Sequence, residues 1–416
     1  MVKILILSAV GIFAAFILLN VFIGFLFALR DRKRATTPFL VDDVQMGYLK
    51  TLMPDETDDD IVDILRCFSS SLYGGHKFRM VYAPYNEHKD SQFSSKFLNV
   101  SPLGFRLNSK DDNKDPFDEK MPHIATFGGS TAFGYGVKDA DTMAAWLEKE
   151  LQKKSEPYKV FNCGRQSYFS TGEIIAFQRF LQEGMRIRVV VFLDGINDVF
   201  HNCPKFRNRS RYSEYIEMFW NYIDYVYGYA DMSGPKSGGR WVVKQLIHQI
   251  PVVRLLKGIR NRIAEELRAQ DAKNMNMQFH EPWSLDCKAE DVNIKELAER
   301  ISRLTLTNWD IVRGICRQFN IQPIFCFQPL PYGEMPPGKH LFKVENEHPL
   351  WESIYKEYYA NMCKLSAGKD DFLDLSKVFK NAEVCPFIDS HHYSSYGNKL
   401  IAEAIIGHMK GLKTSV

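Results

Sequence analysis

A small set of polar residues, spread over short segments of the chain, has the types and spacing for nucleophilic catalysis. Ser130 follows two glycines, and Asp389 lies three residues before His392, close enough in a loop or turn for a carboxylate to orient the ring. A serine hydroxyl is a weak nucleophile until a neighbouring imidazole accepts its proton, and the imidazole needs an acceptor that fixes its tautomer. These residues therefore indicate attack by Ser130 on an acyl carbon, with His392 as the base and Asp389 as its orienting group.

The same chemistry needs hydrogen-bond donors for the negative oxygen that forms on attack. The candidates are the backbone N–H of Ser130, the backbone N–H of Gly164 and the side-chain amide of Asn197. Each residue also has an ordinary explanation, because a serine after Gly-Gly is a common turn residue, an asparagine caps turns, and an Asp-x-x-His pair can lie on a surface. The mechanism requires no metal ion and no organic cofactor. The Gly128–Gly136 stretch lacks both the ending of a phosphate-binding loop and a dinucleotide fingerprint.

From residue 121 onwards, short apolar runs alternate with helical stretches. The predicted strands are His123–Phe127, Tyr158–Cys163, Arg188–Leu193, Ile321–Phe327 and Phe372–Leu375, and residues 399–411 are predicted to form a closing helix. Strands that alternate with helices predict a parallel sheet with helices on both sides. Because ligands bind beyond the carboxyl ends of such strands, Ser130, Gly164 and Asn197 are expected at one edge of the sheet.

The order of these segments resembles that of the SGNH (GDSL-type) hydrolase family, which is named after its Ser, Gly, Asn and His blocks. The blocks are Phe127-Gly128-Gly129-Ser130-Thr131, Asn162-Cys163-Gly164, Gly195-Ile196-Asn197-Asp198, and Asp389-Ser390-His391-His392 with Gly397. The spacing in the family selects His392 rather than His391. Gly129 departs from the pattern, since the family commonly has an aspartate before the nucleophile. The segment Ser101–Arg106 is also similar to membrane-anchored bacterial members.

The pattern and the resemblance together imply a flavodoxin-like three-layer α/β sandwich with a parallel sheet. We expect residues 1–34 to be a transmembrane anchor with a basic flank, residues 35–120 a lead-in region, and residues 121–416 the hydrolase domain. Residues from about 200 to 310 hold no convincing strand, so a helical insertion is predicted there, after the third strand. Within it, residues 232–264 carry bases and no acid. Such a stretch is either a lid with an apolar inner face or a surface for an anionic membrane.

The net charge of +3 comes from 53 basic and 50 acidic residues. Five of those bases and one of the acids lie in residues 1–34, so that segment carries +4 and the remaining chain carries −1. The positive charge therefore gives no support for nucleic-acid binding by the folded body.

The run from Ile4 to Leu29 contains no charged residue and would span about 39 Å as a helix, more than the ~30 Å hydrocarbon core of a bilayer. A secretory signal has a shorter apolar region and a small-residue cleavage site. The run therefore predicts an uncleaved single-pass anchor, with membrane lipid as its partner. The bases after it favour a cytoplasmic body, whereas the family resemblance favours an extracytoplasmic one, so the orientation stays open.

The eight cysteines include no C-x-x-C pair, so a zinc ribbon or a thioredoxin-like redox site is not expected. An even number would permit disulfides in an oxidising compartment. Dispersed buried thiols are the preferred interpretation.

The resemblance implies a serine esterase that hydrolyses an O-acyl ester, either a glycan O-acetyl group or a lipid ester. Two alternatives stay open. The acyl-enzyme could pass its acyl group to a sugar hydroxyl, which would make the protein an acyltransferase. A catalytically degenerate member would instead bind a membrane or a glycan.

Overall fold

The computed structural model describes residues 8, 10–11, 14–27, 43–73, 80–82, 88–112, 115–118, 121–155, 158–202, 250–253, 255–256, 293–331, 350–389 and 391–414. The chain divides into two compact units. One comprises Met1–Leu40 and Tyr222–Ser284, and the other comprises Val41–Asn221 and Leu285–Val416. The second unit contains all the candidate catalytic residues.

The described residues of the lead-in region form two helices and two short antiparallel strand pairs. The region contains α1 (Asp43–Leu52), α2 (Asp58–Tyr73), the antiparallel pair β1 (Met80–Tyr82) and β2 (His88–Asp90), and the antiparallel pair β3 (Phe93–Ser94) and β4 (Asn99–Val100). Three aspartates occupy the first turn of α2, where they complement the helix dipole. Leu49, Ile61 and Phe68 join the same hydrophobic core as the main sheet.

The main sheet has five strands, β5 (His123–Gly128), β6 (Lys159–Asn162), β7 (Val189–Asp194), β8 (Gln322–Phe327) and β9 (Phe372–Asp374). Their order in the sheet is β6-β5-β7-β8-β9, and every neighbouring pair is parallel. All residues of β5 and β7 are buried, as expected of strands covered on both faces. The predicted parallel sheet is therefore confirmed, and its strand order is that of a flavodoxin-like fold.

Helices cover both faces of this sheet. They are α3 (Ser130–Phe133), α4 (Met143–Lys153), α5 (Ser170–Gln182), α6 (Ile196–Asn202), α7 (Ile294–Phe319), α8 (Leu350–Ser366) and α9 (Ser395–Thr414). Along β5, Ile124 belongs to the core that includes α4 and α9, whereas Ala125 belongs to the core that includes α5, α7 and α8. Successive strand residues thus face opposite helix layers, because side chains along a β-strand point alternately to the two faces of the sheet.

Two asparagines set the ends of α7, the long helix that precedes β8. The side chain of Asn293 accepts a hydrogen bond from the N–H of Glu296 at the first turn, and Asn320 ends the helix in the left-handed conformation with φ of 53°. Asparagine suits both positions, since its short side chain caps helices and tolerates positive φ.

The predicted membrane anchor is not supported. Among the residues that the structure describes, no helix is both long and apolar enough to cross a membrane. The prediction of a single-pass anchor over residues 4–29, and of a membrane location, is therefore wrong.

Most of the predicted insertion, including most of the basic stretch 232–264, lies outside the described residues, so the choice between a lid and a membrane surface stays open.

The described cysteines are all free thiols, and Cys163, Cys316, Cys326 and Cys385 are buried. For these residues the preferred interpretation of dispersed thiols is confirmed.

Candidate active site

Ser130 lies at the carboxyl edge of the sheet, where β5 ends and α3 begins. Its carbonyl oxygen accepts hydrogen bonds from the N–H groups of Gly134 and Tyr135, both at 3.0 Å. As the first residue of α3, Ser130 has an N–H with no partner inside the helix. The turn thus fixes the nucleophile's backbone and leaves one donor directed away from the helix.

The predicted catalytic residues are brought together from opposite ends of the domain. The Oγ atom of Ser130 lies 2.8 Å from Nε2 of His392, and Nδ1 of His392 lies 2.6 Å from Oδ2 of Asp389. The other carboxylate oxygen of Asp389 accepts the backbone N–H groups of His391 at 2.9 Å and His392 at 2.7 Å. Asp389 therefore holds both the ring and the main chain of His392.

The electrostatics of this cluster keep the carboxylate ionised. Burial raises the pKa of Asp389, but the charge of His392 and the hydrogen bonds from its ring and from the main chain of residue 391 outweigh it, so the net pKa lies well below its usual range. Burial, and then the neighbouring charge of His392, lower the pKa of His391 to about 4, so this second histidine is neutral at pH 7. An ionised Asp389 can therefore stabilise a positive charge that develops on His392.

The phenol ring of Tyr135 stacks on His392, with ring centroids 4.4 Å apart and planes inclined by 28°. Burial, and then the charge of Asp389, raise the pKa of Tyr135 above its usual value. The phenol therefore stays neutral and presents its aromatic face to the imidazole.

Asp389, His391 and His392 also form a cluster of metal-ligand type, with ligand atoms within 4.8 Å of one another. Both ring nitrogens of His392 are already hydrogen-bonded, to Ser130 and to Asp389. A cation at these atoms would interrupt the serine–histidine–aspartate chain. The mechanism without a metal stays the prediction.

Asn197, on α6, reaches the nucleophile's turn from the end of β7. Its Nδ2 donates to the carbonyl of Tyr168 at 2.6 Å, which uses one of the two amide hydrogens. A Cβ atom on Gly129 would lie 2.1 Å from this nitrogen and 2.9 Å from the carbonyl oxygen of Tyr168. The family that the sequence resembles commonly has aspartate at this position. Glycine here therefore leaves room for the side-chain amide of Asn197.

Gly164 follows β6 and packs beneath the nucleophile's helix. A Cβ atom at this position would lie 2.5 Å from the backbone nitrogen of Phe133 and 2.8 Å from the carbonyl carbon of Ala132. The N–H of Gly164 donates to Oδ1 of Asn162 at 3.1 Å. Close packing thus explains the glycine, and its predicted role as an oxyanion donor would require the N–H to leave Asn162.

Ser167 is a candidate donor that the sequence did not suggest. It adopts φ of +61°, while the N–H of Tyr168 bonds to the carbonyl of Arg165 at 3.3 Å. Positive φ at the third residue of such a turn is typical of type II, which usually has glycine there. The ring of His201 donates to the carbonyl of Ser167 at 2.9 Å, whereas the N–H of Ser167 bonds to no described residue.

The turn of Ser167 and the side chain of Asn197 are held by the same helix. Asn197 and His201 are one turn apart on α6, and they bind the consecutive carbonyls of Tyr168 and Ser167. Burial lowers the pKa of His201 to about 4, so its ring is a neutral donor at pH 7. Since serine is an unusual residue at positive φ, no sequence signal marked this position.

Buried carboxyl groups lie behind the segment that carries Asn197. Asp194 accepts the indole N–H of Trp309 at 2.6 Å, and Asp198 accepts the hydroxyl of Ser170 at 2.5 Å. Burial, followed by the charge of Asp194, raises the pKa of Asp198 to about 8, and burial and Asp194 also raise the pKa of Glu173. These hydrogen bonds hold Asp194 and Asp198, the two residues on either side of the segment Gly195–Asn197.

No family model matches the sequence, and no curated protein matches it. Solved structures do show a similarity. The acetyl xylan esterase AlAXEase is 13% identical, with 68% of this chain and 98% of that chain covered and a TM-score of 0.34. The lipase Lip_vut3 from a goat rumen metagenome is 9% identical, with 69% and 97% covered and a TM-score of 0.37. A protein assigned to the G-D-S-L family from Desulfitobacterium hafniense DCB-2 is 15% identical, with 69% and 98% covered and a TM-score of 0.32. At such low TM-scores, a function for this chain has to rest on the geometry of its own site.

Proposed function

We propose that this protein is a serine esterase that cleaves an O-acyl ester through an acyl-enzyme. The observation that carries the proposal is the continuous hydrogen-bond chain from Asp389 through both nitrogens of His392 to the hydroxyl of Ser130. This chain supplies a nucleophile, its general base and the group that orients the base.

In the acylation step, Nε2 of His392 takes the Oγ proton while Ser130 attacks the ester carbon. The carbon–oxygen double bond opens to an oxyanion, and Asp389 stabilises the imidazolium. The tetrahedral intermediate then collapses, the bond to the alcohol breaks, and His392 delivers its proton to the leaving oxygen. A water molecule, deprotonated by His392, then attacks the acyl carbon of the acyl-enzyme. The bond between that carbon and Oγ of Ser130 breaks, His392 returns its proton to Oγ, and the acid is released.

The oxyanion needs donors beside the attacked carbon. The N–H of Ser130 and the second amide hydrogen of Asn197 support this role, because neither is used by the bonds described above. The N–H of Ser167 is a further candidate, since it bonds to no described residue. Gly164 stays a predicted donor. Loss of one such donor typically lowers kcat about 100- to 1000-fold.

The substrate class that we propose is an O-acyl ester on a glycan or a lipid. Assays with acetylated xylooligosaccharides and with short-chain glycerol esters would separate the two by their kcat/KM values. Adding an unacylated glycan to the reaction tests the transferase alternative, because transfer would yield acylated glycan at the expense of free acid.

The decisive experiment is covalent labelling with a fluorophosphonate, followed by intact-mass measurement. The wild-type protein should gain one adduct, Ser130→Ala should gain none, and Ser155→Ala, which changes an exposed serine, should label as the wild type does. Folded wild-type protein that stays unlabelled, or Ser130→Ala that still labels, would show the proposed nucleophile to be wrong.

A further inference from the structure

Arg106, from the lead-in region, is a fully buried arginine that serves the loop behind the nucleophile. Its side chain is 0% exposed. The guanidinium donates to the carbonyl oxygens of Phe133 at 3.0 Å, Gly134 at 2.6 Å and Val137 at 2.7 Å, and to Oδ1 of Asp139 at 2.9 Å. The three carbonyls belong to the end of α3 and the residues that follow it, where a short helix leaves its acceptors without partners.

The position of the guanidinium is itself fixed from several sides. Asp139 accepts two further hydrogen bonds, from the backbone and the side chain of Asn99. The guanidinium carbon lies 5.5 Å from the ring centroid of Phe68 and 5.2 Å from that of Phe133. A lysine could keep the charge opposite Asp139, but its single nitrogen could not reproduce the planar fork that binds three carbonyls and a carboxylate.

The loop that Arg106 holds carries two contacts to the catalytic residues. The N–H groups of Gly134 and Tyr135 bind the carbonyl of Ser130, and the ring of Tyr135 stacks on His392. Tyr135 lies between Gly134, with φ of +85°, and Gly136, with φ of +84°. Both neighbours thus have backbone conformations that suit glycine, so the ring's position depends on the carbonyls that Arg106 binds on either side of it.

We propose that Arg106 is a positioning residue for catalysis, acting through the loop 133–137 and the ring of Tyr135 on His392 and Ser130. The inference rests on the proposed serine mechanism. It assigns the lead-in region a part in that mechanism, since Asn99 and Arg106 both belong to that region. Displacement of reacting groups by about 1 Å can lower a rate about 100-fold, so a small shift of this loop would be measurable.

The chain offers a matched control in Arg313 on α7. Its side chain is also largely buried, at 14% exposed, and it binds Asp371 through two hydrogen bonds of 2.6 and 2.8 Å. It also lies over an aromatic ring, that of Phe325, at 4.7 Å. Because Asp371 precedes β9, this ion pair is at the amino edge of the sheet, away from the carboxyl edge that bears Ser130.

The test compares Arg106→Lys, Arg313→Lys, Tyr135→Leu and the double variant Arg106→Lys/Tyr135→Leu in the full chain. Melting temperature, kcat and KM for a p-nitrophenyl ester, and the rate of Ser130 labelling by a fluorophosphonate would be measured well below each melting temperature. Both lysine variants are expected to melt earlier. Only Arg106→Lys should lower kcat and the labelling rate, by about 10- to 100-fold with KM within about twofold of wild type.

The double variant tests the route through Tyr135. If Arg106 acts through that ring, the double variant should lose no more activity than the more impaired single variant, because the two effects are coupled. Wild-type rates in folded Arg106→Lys, equal losses in Arg313→Lys, or multiplicative losses in the double variant would each overturn the inference. An unlabelled wild-type protein would instead refute the serine mechanism, which keeps the two failures distinct.

Discussion

Gly129→Ala is a small change whose effect on the proposed mechanism can be worked out from the structure. The new Cβ would lie 2.1 Å from Nδ2 of Asn197, so the amide must retreat by about 1 Å or more to reach an ordinary contact. Gly129 has φ of −77°, a value that alanine adopts, so the backbone itself is not strained by the change. The second contact, at 2.9 Å from the carbonyl of Tyr168, displaces the group that accepts the amide's hydrogen bond.

We therefore expect a folded protein with a misplaced oxyanion donor. A displacement of this size should lower kcat about 100-fold, or about 2.7 kcal/mol in the barrier. The overpacking should cost about 1–3 kcal/mol of stability. The assay is steady-state hydrolysis of a p-nitrophenyl ester together with the rate of Ser130 phosphonylation, each measured well below the melting temperature of Gly129→Ala.

Gly314→Ala is the matched control, because a Cβ there meets no atom within 4 Å. Gly314 lies inside α7, so alanine should raise the free energy of unfolding by about 0.5–1 kcal/mol and leave the rate unchanged. If Gly129→Ala keeps the wild-type kcat and labelling rate, the amide of Asn197 is not a donor in this site, and the role given to it is wrong.

Asp389→Asn should lower kcat about 100- to 10,000-fold, because the ring of His392 loses the acceptor that fixes its tautomer. Since the folded state lowers the pKa of Asp389, its contribution to stability is present above the ordinary carboxyl pKa and lost on acidification, so melting temperatures of Asp389→Asn and wild type should converge as pH falls. Ser167→Val should lower kcat, because a β-branched residue resists the φ of +61°, whereas Ser155→Val, at φ of 58°, should lower only the melting temperature. Burial raises the pKa of Asp90 to about 7. The folded state therefore favours the protonated carboxyl, and the stability of the protein that is fully present below pH ~4 is lost as pH rises through about 7. Asp90→Asn should remove that loss in melting curves recorded from pH 5 to 8. Equal pH dependence in wild type and Asp90→Asn, or equal activity in the two valine variants, would contradict these expectations.

The strands and the order of the site segments could be predicted because both depend on local pattern. A continuous apolar run such as Val189–Phe192 fits a strand buried on both faces, and the structure places it in β7, in the centre of the sheet. Ser130 could be placed because it directly follows β5, and ligands bind beyond the carboxyl ends of parallel strands. Asp389 and His392 lie in the loop before α9, and the spacing of three residues marked them as a pair. The predicted anchor is contradicted, because no helix among the described residues is both long and apolar enough to cross a membrane.

Other features of the site depend on contacts between distant segments, which no local pattern records. Nothing in the residue type of Arg106 shows that it binds the carbonyls behind the nucleophile. Nothing in the residue type of Gly164 shows that it packs against the backbone of Ala132 and Phe133. Serine at residue 167 gives no hint of a left-handed turn, since the helix that holds that turn lies elsewhere in the chain.

The sequence by itself determined which side chains are available for chemistry and at which strand ends they occur, because both follow from residue type and periodicity. The tertiary structure alone decided which of them are within hydrogen-bonding distance, which N–H groups are left without partners, and which glycines make room for a neighbour. These are properties of packed atoms a few ångströms apart, and packing is fixed only when every layer of the sandwich is in place.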